Sequence, residues 1–376
     1  MPDASRSVGV CSDLLSQERS KAFLDEVAAD YERVRTLHAN RKTTPLVTLA
    51  QARANKTPIA WDGYAPPAPK FIGRREFRNQ DLGGLAACID WGPFFQTWDL
   101  AGRYPAILGD AVVGEAARRV FDDAQAMLKK LIEGRWLAAS GVIGLYPANT
   151  VDDDVIEIYA DASRRDVLMH WAPLRTQTER PVIKGDDGAE VMRPNRCLAD
   201  FIAPKSSGLA DHIGLFAVTA GLGVEKKERE FLTALDDYSA IMFKALADRL
   251  AEAFAERLHQ RVRTEFWGYA PGEALGVDEL VAEAYVGIRP APGYPACPGH
   301  GVKRDLFRVL AAADVGIGLT ESLAMQPAAS VAGFYFSHPK SCYFNVGRIG
   351  PDQLREWAAR EGQDLAQAER ALASIL

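Results

Sequence analysis

Apolar residues recur at helical spacing in three long stretches of the chain. The first covers about residues 12–38, where a single apolar stripe runs among many charged positions. The second follows an expected turn at residues 105–109, and Asp110 is placed to cap it. In the third, about residues 236–263, apolar side chains step by four along one side. Each pattern predicts a long amphipathic helix.

Short runs rich in β-branched and aromatic residues predict strands. They are residues 141–146, 155–159, 213–219, 331–336 and 343–346. Turn-rich links join the first run to the second and the fourth to the fifth, so both pairs are expected to form hairpins of an antiparallel sheet. Hairpins and long helices in one chain predict an α+β fold.

A proline-rich segment with little periodicity separates the first predicted helix from the rest of the chain. Residues 42–69 contain five prolines. Such a segment is expected to run as an extended connector that wraps onto the domain after it. We therefore divide the chain into a helical linker, residues 1–70, and a domain, residues 71–376.

The charge of the chain argues against a nucleic-acid partner. Its 376 residues carry a formal net charge of −6, and the isoelectric point is near 5.7. A protein that binds a phosphate backbone needs a concentrated basic face instead. Hydrophobic residues make up 48% of the chain, so a normal globular core can form.

The sequence predicts neither a membrane protein nor a metal site. A membrane span needs about 20 consecutive apolar residues, and no run of the chain approaches that length. The polar start at residues 1–6 is unlike a signal peptide, so we expect a cytoplasmic protein. The five cysteines are scattered and form no C-x-x-C pair, which predicts free thiols.

The stretch from residue 289 to residue 298 carries the densest chemical information. It interleaves four prolines with Arg289, Gly293 and Tyr294. Each proline fixes φ and lacks an N–H donor, so the stretch must run as an extended loop. Gly293 would let that loop approach a ligand closely. The loop is either a clamp for a small zwitterion with a flat ring or a proline-rich surface turn, and the pattern favours both equally.

Acidic residues step by four along one side of the third predicted helix. They are Asp248, Glu252 and Glu256. One interpretation is a site that attracts an ammonium or sulfonium group. Spacing alone favours the other, a solvated face that Lys244 and the nearby arginines neutralise.

Asp90 lies among four aromatic rings in residues 90–98. A carboxylate in such surroundings needs a cation or a donor. The residue is equally well placed to cap the turn at Gly92.

The sequence identifies no catalytic residue. The six histidines form no metal-binding pattern, and His300 and His338, which lie next to turn residues, are expected to be solvated. A catalytic triad is set by geometry, so none can be assigned from position in the chain.

Six segments together resemble the C-terminal activation (reactivation) module of cobalamin-dependent methionine synthase. They are residues 289–298, 90–98, 197–201, 244–253, 266–271 and 335–339. The resemblance runs from about residue 71 to the end. Residues 3–15 and the helix after them resemble the tail of that enzyme's cobalamin-binding module. The family's fold implies a twisted antiparallel sheet with flanking helices, preceded here by the long N-terminal helix and the extended linker.

The resemblance implies a role in methionine biosynthesis. The family's module binds S-adenosylmethionine and presents its methyl group to cobalamin that has been oxidised to inactive cob(II)alamin. An electron from a flavodoxin-like reductase makes cob(I)alamin, which takes the methyl group. This transfer from sulfonium to cobalt requires positioning and electrostatics but no general base. The chain would be a methyltransferase component that is inactive without a cobalamin-bearing module and a reductant.

The resemblance also implies which residues bind the amino-acid end of S-adenosylmethionine. Asp90 and Glu252 would hold the ammonium group. Arg289, with its loop neighbours Ala291 and Gly293, would contact the ligand through its charge and through the backbone.

Aromatic residues are implied at the rest of the site. Tyr294 would face both the ligand and cobalamin, while Tyr343 and Phe344 would line the nucleoside end. Better-known members have tyrosine where Phe344 stands, so ring packing is expected there without the hydroxyl. Asp248 matches an acid implicated in contacting the cobalamin module.

Several motifs of the complete enzyme are missing from the sequence. It contains no Asp-x-His-x-x-Gly cobalamin signature, no cysteine cluster for zinc, and no room for two catalytic barrels. Cobalamin must then be carried by a partner module or chain. The chain is expected to be either an excised fragment or a separate reactivation subunit. Two alternatives remain: a non-catalytic protein that senses S-adenosylmethionine or docks partners, and a reactivator of another corrinoid methyltransferase.

Overall fold

The computed structural model describes residues 7–16, 19–39, 44–180, 182–184 and 190–376. The chain forms two compact units, Met1–Pro45 and Leu46–Leu376. Helices α1 and α2 of the first unit span Ser7–Leu15 and Ser20–Ala39. The single helix predicted for residues 12–38 is therefore wrong. The Ser16 hydroxyl accepts the backbone N–H of Arg19 at 3.3 Å, just before α2 begins at Ser20.

The second unit contains the remaining helices and all the strands of the described residues. Helices α3 to α12 span, in chain order, Leu49–Ala54, Leu82–Ala86, Gly92–Thr97, Gly114–Glu133, Val224–Thr233, Asp237–Arg261, Val277–Val281, Lys303–Leu310, Pro351–Arg360 and Leu365–Ala371. Strands β1 to β10 span Gly73–Gln80, Ala138–Val151, Val155–Tyr159, Val167–Trp171, Val182–Lys184, Glu190–Met192, Asp211–Leu222, Gly318–Leu319, Met325–Gln326 and Ser330–Tyr335.

The main sheet is antiparallel and has the strand order β10-β7-β2-β3-β4, with β1 also paired to β2. Its long central strands β2 and β7 are buried over nearly their whole length, because helices and loops cover both faces. Strands β2 and β3 form the first predicted hairpin, in which Thr150 lies opposite Ile156. The α+β class and the antiparallel sheet with flanking helices are confirmed.

The second predicted hairpin, between residues 331–336 and 343–346, is wrong. Residues 343–346 form no strand, and the sheet partner of β10 is β7. The aromatic run at these positions bonds to the proline-rich loop instead: the Tyr343 hydroxyl accepts the N–H of Arg289, and the N–H of Val346 donates to the carbonyl of Pro295.

Helix α8 packs against β7 and β10 and supplies many side chains of one of the hydrophobic clusters. Its apolar side chains Leu246, Leu250 and Phe254 are buried, as the step-of-four pattern predicts. The Asp236 carboxylate accepts the N–H of Ser239 at 3.0 Å and caps the first turn. A π-helical turn, Val262–Phe266, continues the chain beyond α8.

Asp110 caps a turn and not the helix that follows it. Its Oδ1 accepts the N–H groups of Val112 and Val113 at 2.8 and 3.0 Å, and α6 begins after them at Gly114.

The connector after Pro45 is bound tightly to the second unit. Arg53 donates to Asp154 at 2.6 Å, and the indole N–H of Trp267 donates to the carbonyl of Pro67 at 2.7 Å. These contacts fix residues 46–70 as part of that unit, although the sequence pattern is that of a linker.

The five cysteines are free thiols, as predicted. In the described ranges no helix has the length and hydrophobicity needed to cross a membrane.

Candidate functional site

A cleft of about 720 Å³ opens between α8, α9 and the proline-rich loop. The residues that line it and that the sequence predicted are Asp90, Glu252, Arg289, Ala291, Tyr294, Tyr343 and Phe344. The segments that supply them are far apart in the chain, so the cleft exists only because the fold joins them.

Backbone pairing with β10 fixes the proline-rich loop. Ile288 and Phe336 exchange N–H···O bonds of 3.1 and 3.0 Å, and the N–H of Phe334 donates to the carbonyl of Pro290 at 3.0 Å. Gly333 permits this approach, because a Cβ there would lie 2.4 Å from the Pro290 oxygen. The loop therefore extends the sheet and holds Arg289 on a rigid base.

Gly293 forms the turn of the loop but does not line the cleft. Its φ is +98°, a left-handed conformation that favours glycine, and its N–H donates to the carbonyl of Cys297 at 2.8 Å. A Cβ at this position would lie 2.4 Å from the His300 ring. The close approach expected at Gly293 is thus to His300.

Arg289 is held by two contacts. Its backbone N–H donates to the Tyr343 hydroxyl at 2.8 Å, and its Nη2 donates to Glu256 Oε2 at 3.0 Å. Burial alone would lower the pKa of Arg289, but the carboxylate of Glu256 and the surrounding phenols keep that pKa above its ordinary value. Arg289 is therefore a fixed cation at the cleft wall.

Carboxylates from two elements face the same cleft. Glu252 lies on α8, and Asp90 lies just before α5. Asp90 Oδ1 accepts the N–H of Gly92 at 2.9 Å, so this residue caps the turn and lines the cleft at once. Tyr294 is 57% exposed, and the Glu252 carboxylate together with partial burial raises its pKa. The cleft thus offers acids, a cation and aromatic rings around one space.

Glu256 was expected on a solvated acidic face, and that expectation is wrong. Its side chain is only 16% exposed and pairs with Arg289. Lys244, the expected neutralising cation, pairs with Glu228 instead. The helical spacing placed Glu256 correctly next to Glu252, but nothing local indicated a partner 33 positions further along the chain.

Glu283 and Tyr285 line the cleft and were missed by sequence reasoning. They follow α9 in an irregular segment without periodicity. Glu283 adopts a φ of +56°, which is uncommon for a residue with a side chain. Burial raises its pKa, Arg289 opposes that rise, and Glu256 adds to it. The Tyr285 hydroxyl lies 3.4 Å from that of Tyr343.

Asp248 lies outside the cleft, on the exposed side of α8. Desolvation by neighbouring atoms raises the pKa of Asp248, and the negative charge of Glu252 raises it further. A contact of Asp248 with another module remains a prediction.

The family described as vitamin B12 dependent methionine synthase, activation domain, matches residues 81–362. The chain belongs to this family. Among solved structures, the crystal structure of the MetH reactivation domain bound to AdoHcy is similar to this activation domain, with 50% sequence identity and a TM-score of 0.83. The match covers 89% of this chain and 99% of that one.

Membership identifies the chain as a reactivation module of methionine synthase and confirms the resemblance seen in the sequence. The family also ties this activation domain to a vitamin B12-dependent enzyme. A sensing or docking protein and a reactivator of another corrinoid enzyme are not favoured.

Proposed function

We propose that the cleft of this activation domain binds S-adenosylmethionine and presents its methyl group to inactive cob(II)alamin, which returns to methylcobalamin. The observation that carries the proposal is the cleft itself, which gathers acids, a fixed arginine and aromatic rings. A domain that is 50% identical was crystallised with AdoHcy, the product that S-adenosylmethionine leaves after methyl donation. The residues present fit a zwitterion with a flat ring system.

The charges of the cleft match the amino-acid end of this ligand. Arg289 is positioned to receive the carboxylate, because arginine pairs with carboxylates through parallel N–H donors. Asp90 and Glu252 would receive the ammonium group, with Ala291 contributing backbone contacts. Gly293 would act indirectly by shaping the loop.

Aromatic residues would hold the other parts of the ligand. Tyr343 and Phe344 line the cleft and would pack against the nucleoside. The exposed ring of Tyr294 would separate the ligand from the cobalamin that docks above it. Asp248, on the outer side of α8, would contact the docked module.

The residues of the cleft would act by placing the methyl group and stabilising the positive sulfonium. Reduced cobalamin, when docked, supplies the nucleophile that takes the methyl group, and the electron pair of the broken carbon–sulfur bond stays on sulfur. No residue has to transfer a proton in this reaction. The cobalamin would be carried by a cobalamin-binding module of the same enzyme or of a separate subunit, and a flavodoxin-like reductase would supply the electron. The chain alone would show no turnover.

Calorimetry and cobalamin spectra test the proposal together. The chain should bind S-adenosylmethionine and AdoHcy at one site, and Arg289→Ala should abolish that binding. With a cobalamin-binding module in the cob(II)alamin state and a chemical reductant, S-adenosylmethionine should produce the methylcobalamin spectrum only when the chain is present. Absence of binding would refute the proposal. Binding without any spectral change would favour a sensing role.

A further inference from the structure

Four side chains of alternating charge lead from the interior of the second unit to the cleft. Glu273 accepts two bonds from Arg263, both 2.7 Å long. Arg263 Nη1 lies 3.9 Å from Glu256 Oε1, and Glu256 Oε2 accepts from Arg289 at 3.0 Å. The series begins at a buried carboxylate and ends at the arginine of the proposed ligand site.

Burial makes this series sensitive to geometry. The side chain of Arg263 is fully buried, that of Glu273 is 6% exposed, and that of Glu256 is 16% exposed. Two carboxylates and two guanidinium groups balance, so no net charge is buried. Charges in such surroundings keep their place only when their partners do, because an unpaired charge there is costly.

A second route connects the same two arginines. The Arg263 guanidinium lies over the ring of Tyr285, 4.2 Å from its centroid. The Tyr285 hydroxyl lies 3.4 Å from the Tyr343 hydroxyl, which accepts the backbone N–H of Arg289. Arg263 is therefore linked to the side chain of Arg289 through Glu256 and to its backbone through the two tyrosines.

We propose that Glu256 is a positioning residue for recognition of the ligand carboxylate, and that Arg263, held by Glu273, keeps Glu256 in place. Glu256 engages Nη2 of Arg289, and Arg289 lines the cleft. The guanidinium keeps its orientation at the cleft wall only while Glu256 holds this nitrogen. The inference rests on the proposed function, because it assigns the carboxylate of S-adenosylmethionine to Arg289.

The test compares S-adenosylmethionine with decarboxylated S-adenosylmethionine, which keeps the sulfonium and the ammonium but lacks the carboxylate. Glu256→Asp keeps the charge and shortens the reach by one methylene. Its affinity for S-adenosylmethionine should fall about tenfold, the effect of one charge-assisted bond, while its affinity for the decarboxylated ligand stays within about twofold. If Glu256 had a purely structural role, the substitution would lower the affinity for both ligands equally.

Arg263→Lys provides a second variant that leaves Glu256 intact and cannot touch the ligand. It keeps the positive charge and loses the two-bond contact with Glu273. We expect the same selective loss, about threefold, because Glu256 is less firmly held. This variant decides the question if Glu256→Asp does not fold.

Glu265→Asp is the matched control. Glu265 is 51% exposed and pairs with Arg261 on the surface, so its shortening should leave both affinities unchanged. Equal losses for both ligands, or no loss in Glu256→Asp and Arg263→Lys, would overturn the positioning role alone. If the wild-type chain binds neither ligand, the proposed function fails and the inference fails with it.

Discussion

The Tyr343 hydroxyl accepts the backbone N–H of Arg289 at 2.8 Å, although 54 positions separate the two residues. Both residues lie in segments without regular structure, and both line the cleft. This bond satisfies a donor that the sheet leaves unpaired. It also makes the placement of the cleft cation depend on an aromatic residue that the sequence pattern assigned to a strand.

Removal of that hydroxyl should weaken both the fold and the site. In Tyr343→Phe the N–H of Arg289 loses its acceptor, so the free energy of unfolding should fall by about 1–3 kcal/mol. Affinity for S-adenosylmethionine should fall as well, because the arginine is less well placed. Urea unfolding and calorimetry measure the two effects. Tyr104→Phe is the control, because the Tyr104 ring is 40% exposed, and its free energy of unfolding should stay within about 0.5 kcal/mol of the wild-type value. Equal stability of the two variants would contradict the prediction.

The acids of the cleft should be required for the ammonium group and not for the sulfonium alone. Asp90→Asn and Glu252→Gln should each reduce affinity for S-adenosylmethionine and for AdoHcy by about tenfold, because both ligands carry the ammonium. Glu265→Gln is the matched control, since Glu265 is 51% exposed and lies outside the cleft, and it should bind both ligands as wild type does. A loss confined to S-adenosylmethionine would assign these acids to the sulfonium.

The turn at Gly293 should tolerate no side chain. Gly293→Ala places a methyl group in a left-handed conformation and against the His300 ring, so we expect a loss of about 1–3 kcal/mol in unfolding free energy and weaker ligand binding. Gly299→Ala serves for comparison, because a Cβ there meets only ordinary contacts of 3.7 Å. Thermal unfolding of the two variants, measured side by side, checks the prediction. The prediction is wrong if the two substitutions lower the midpoint temperature of unfolding equally.

Periodicity predicted the parts of the fold in which neighbouring residues face a common core. Helix α8 and the β2–β3 hairpin were predicted for this reason. The hairpin predicted to include residues 343–346 does not form, because the loop at Ile288 pairs with the edge of β10 instead. A local sequence pattern cannot show which of two segments will pair with an edge strand.

The candidate site was likewise predicted only in part from the sequence. The composition of the proline-rich loop and the resemblance to a family pointed to Arg289 and Glu252, both of which line the cleft. The partner of Glu256 could not be predicted, because ion pairing across the fold depends on three-dimensional placement. His338 was expected in solvent but is 5% exposed, since the connector rings of Trp61 and Tyr64 cover it.

Burial of His338 should make the protein sensitive to acid. Burial, assisted by Lys340, lowers the pKa of His338 from 6.5 to about 4. Between these two pH values the unfolded chain binds a proton that the folded chain does not, so the free energy of unfolding falls as the pH falls. The contribution over that window is about 3 kcal/mol.

The variant His338→Asn isolates this effect. Its midpoint of urea unfolding should depend less steeply on pH between 6.5 and 4 than that of wild type. Other groups titrate in the same range, including Asp211, whose burial raises its pKa to about 6 and gives the opposite slope. Those titrations are shared by both proteins and cancel in the difference. Identical slopes would show that His338 is not held neutral.

The pairing of the loop with β10 has a consequence for solubility. Strand β10 lies at one end of the strand order of the main sheet, and the backbone of Ile288 and Pro290 pairs with its outer edge. An uncovered edge strand recruits strands from other molecules and leads to aggregation. One segment therefore both carries the arginine of the cleft and shields the sheet from self-association. Substitutions that displace this segment should remove protein from the soluble fraction before any loss of ligand affinity can be measured.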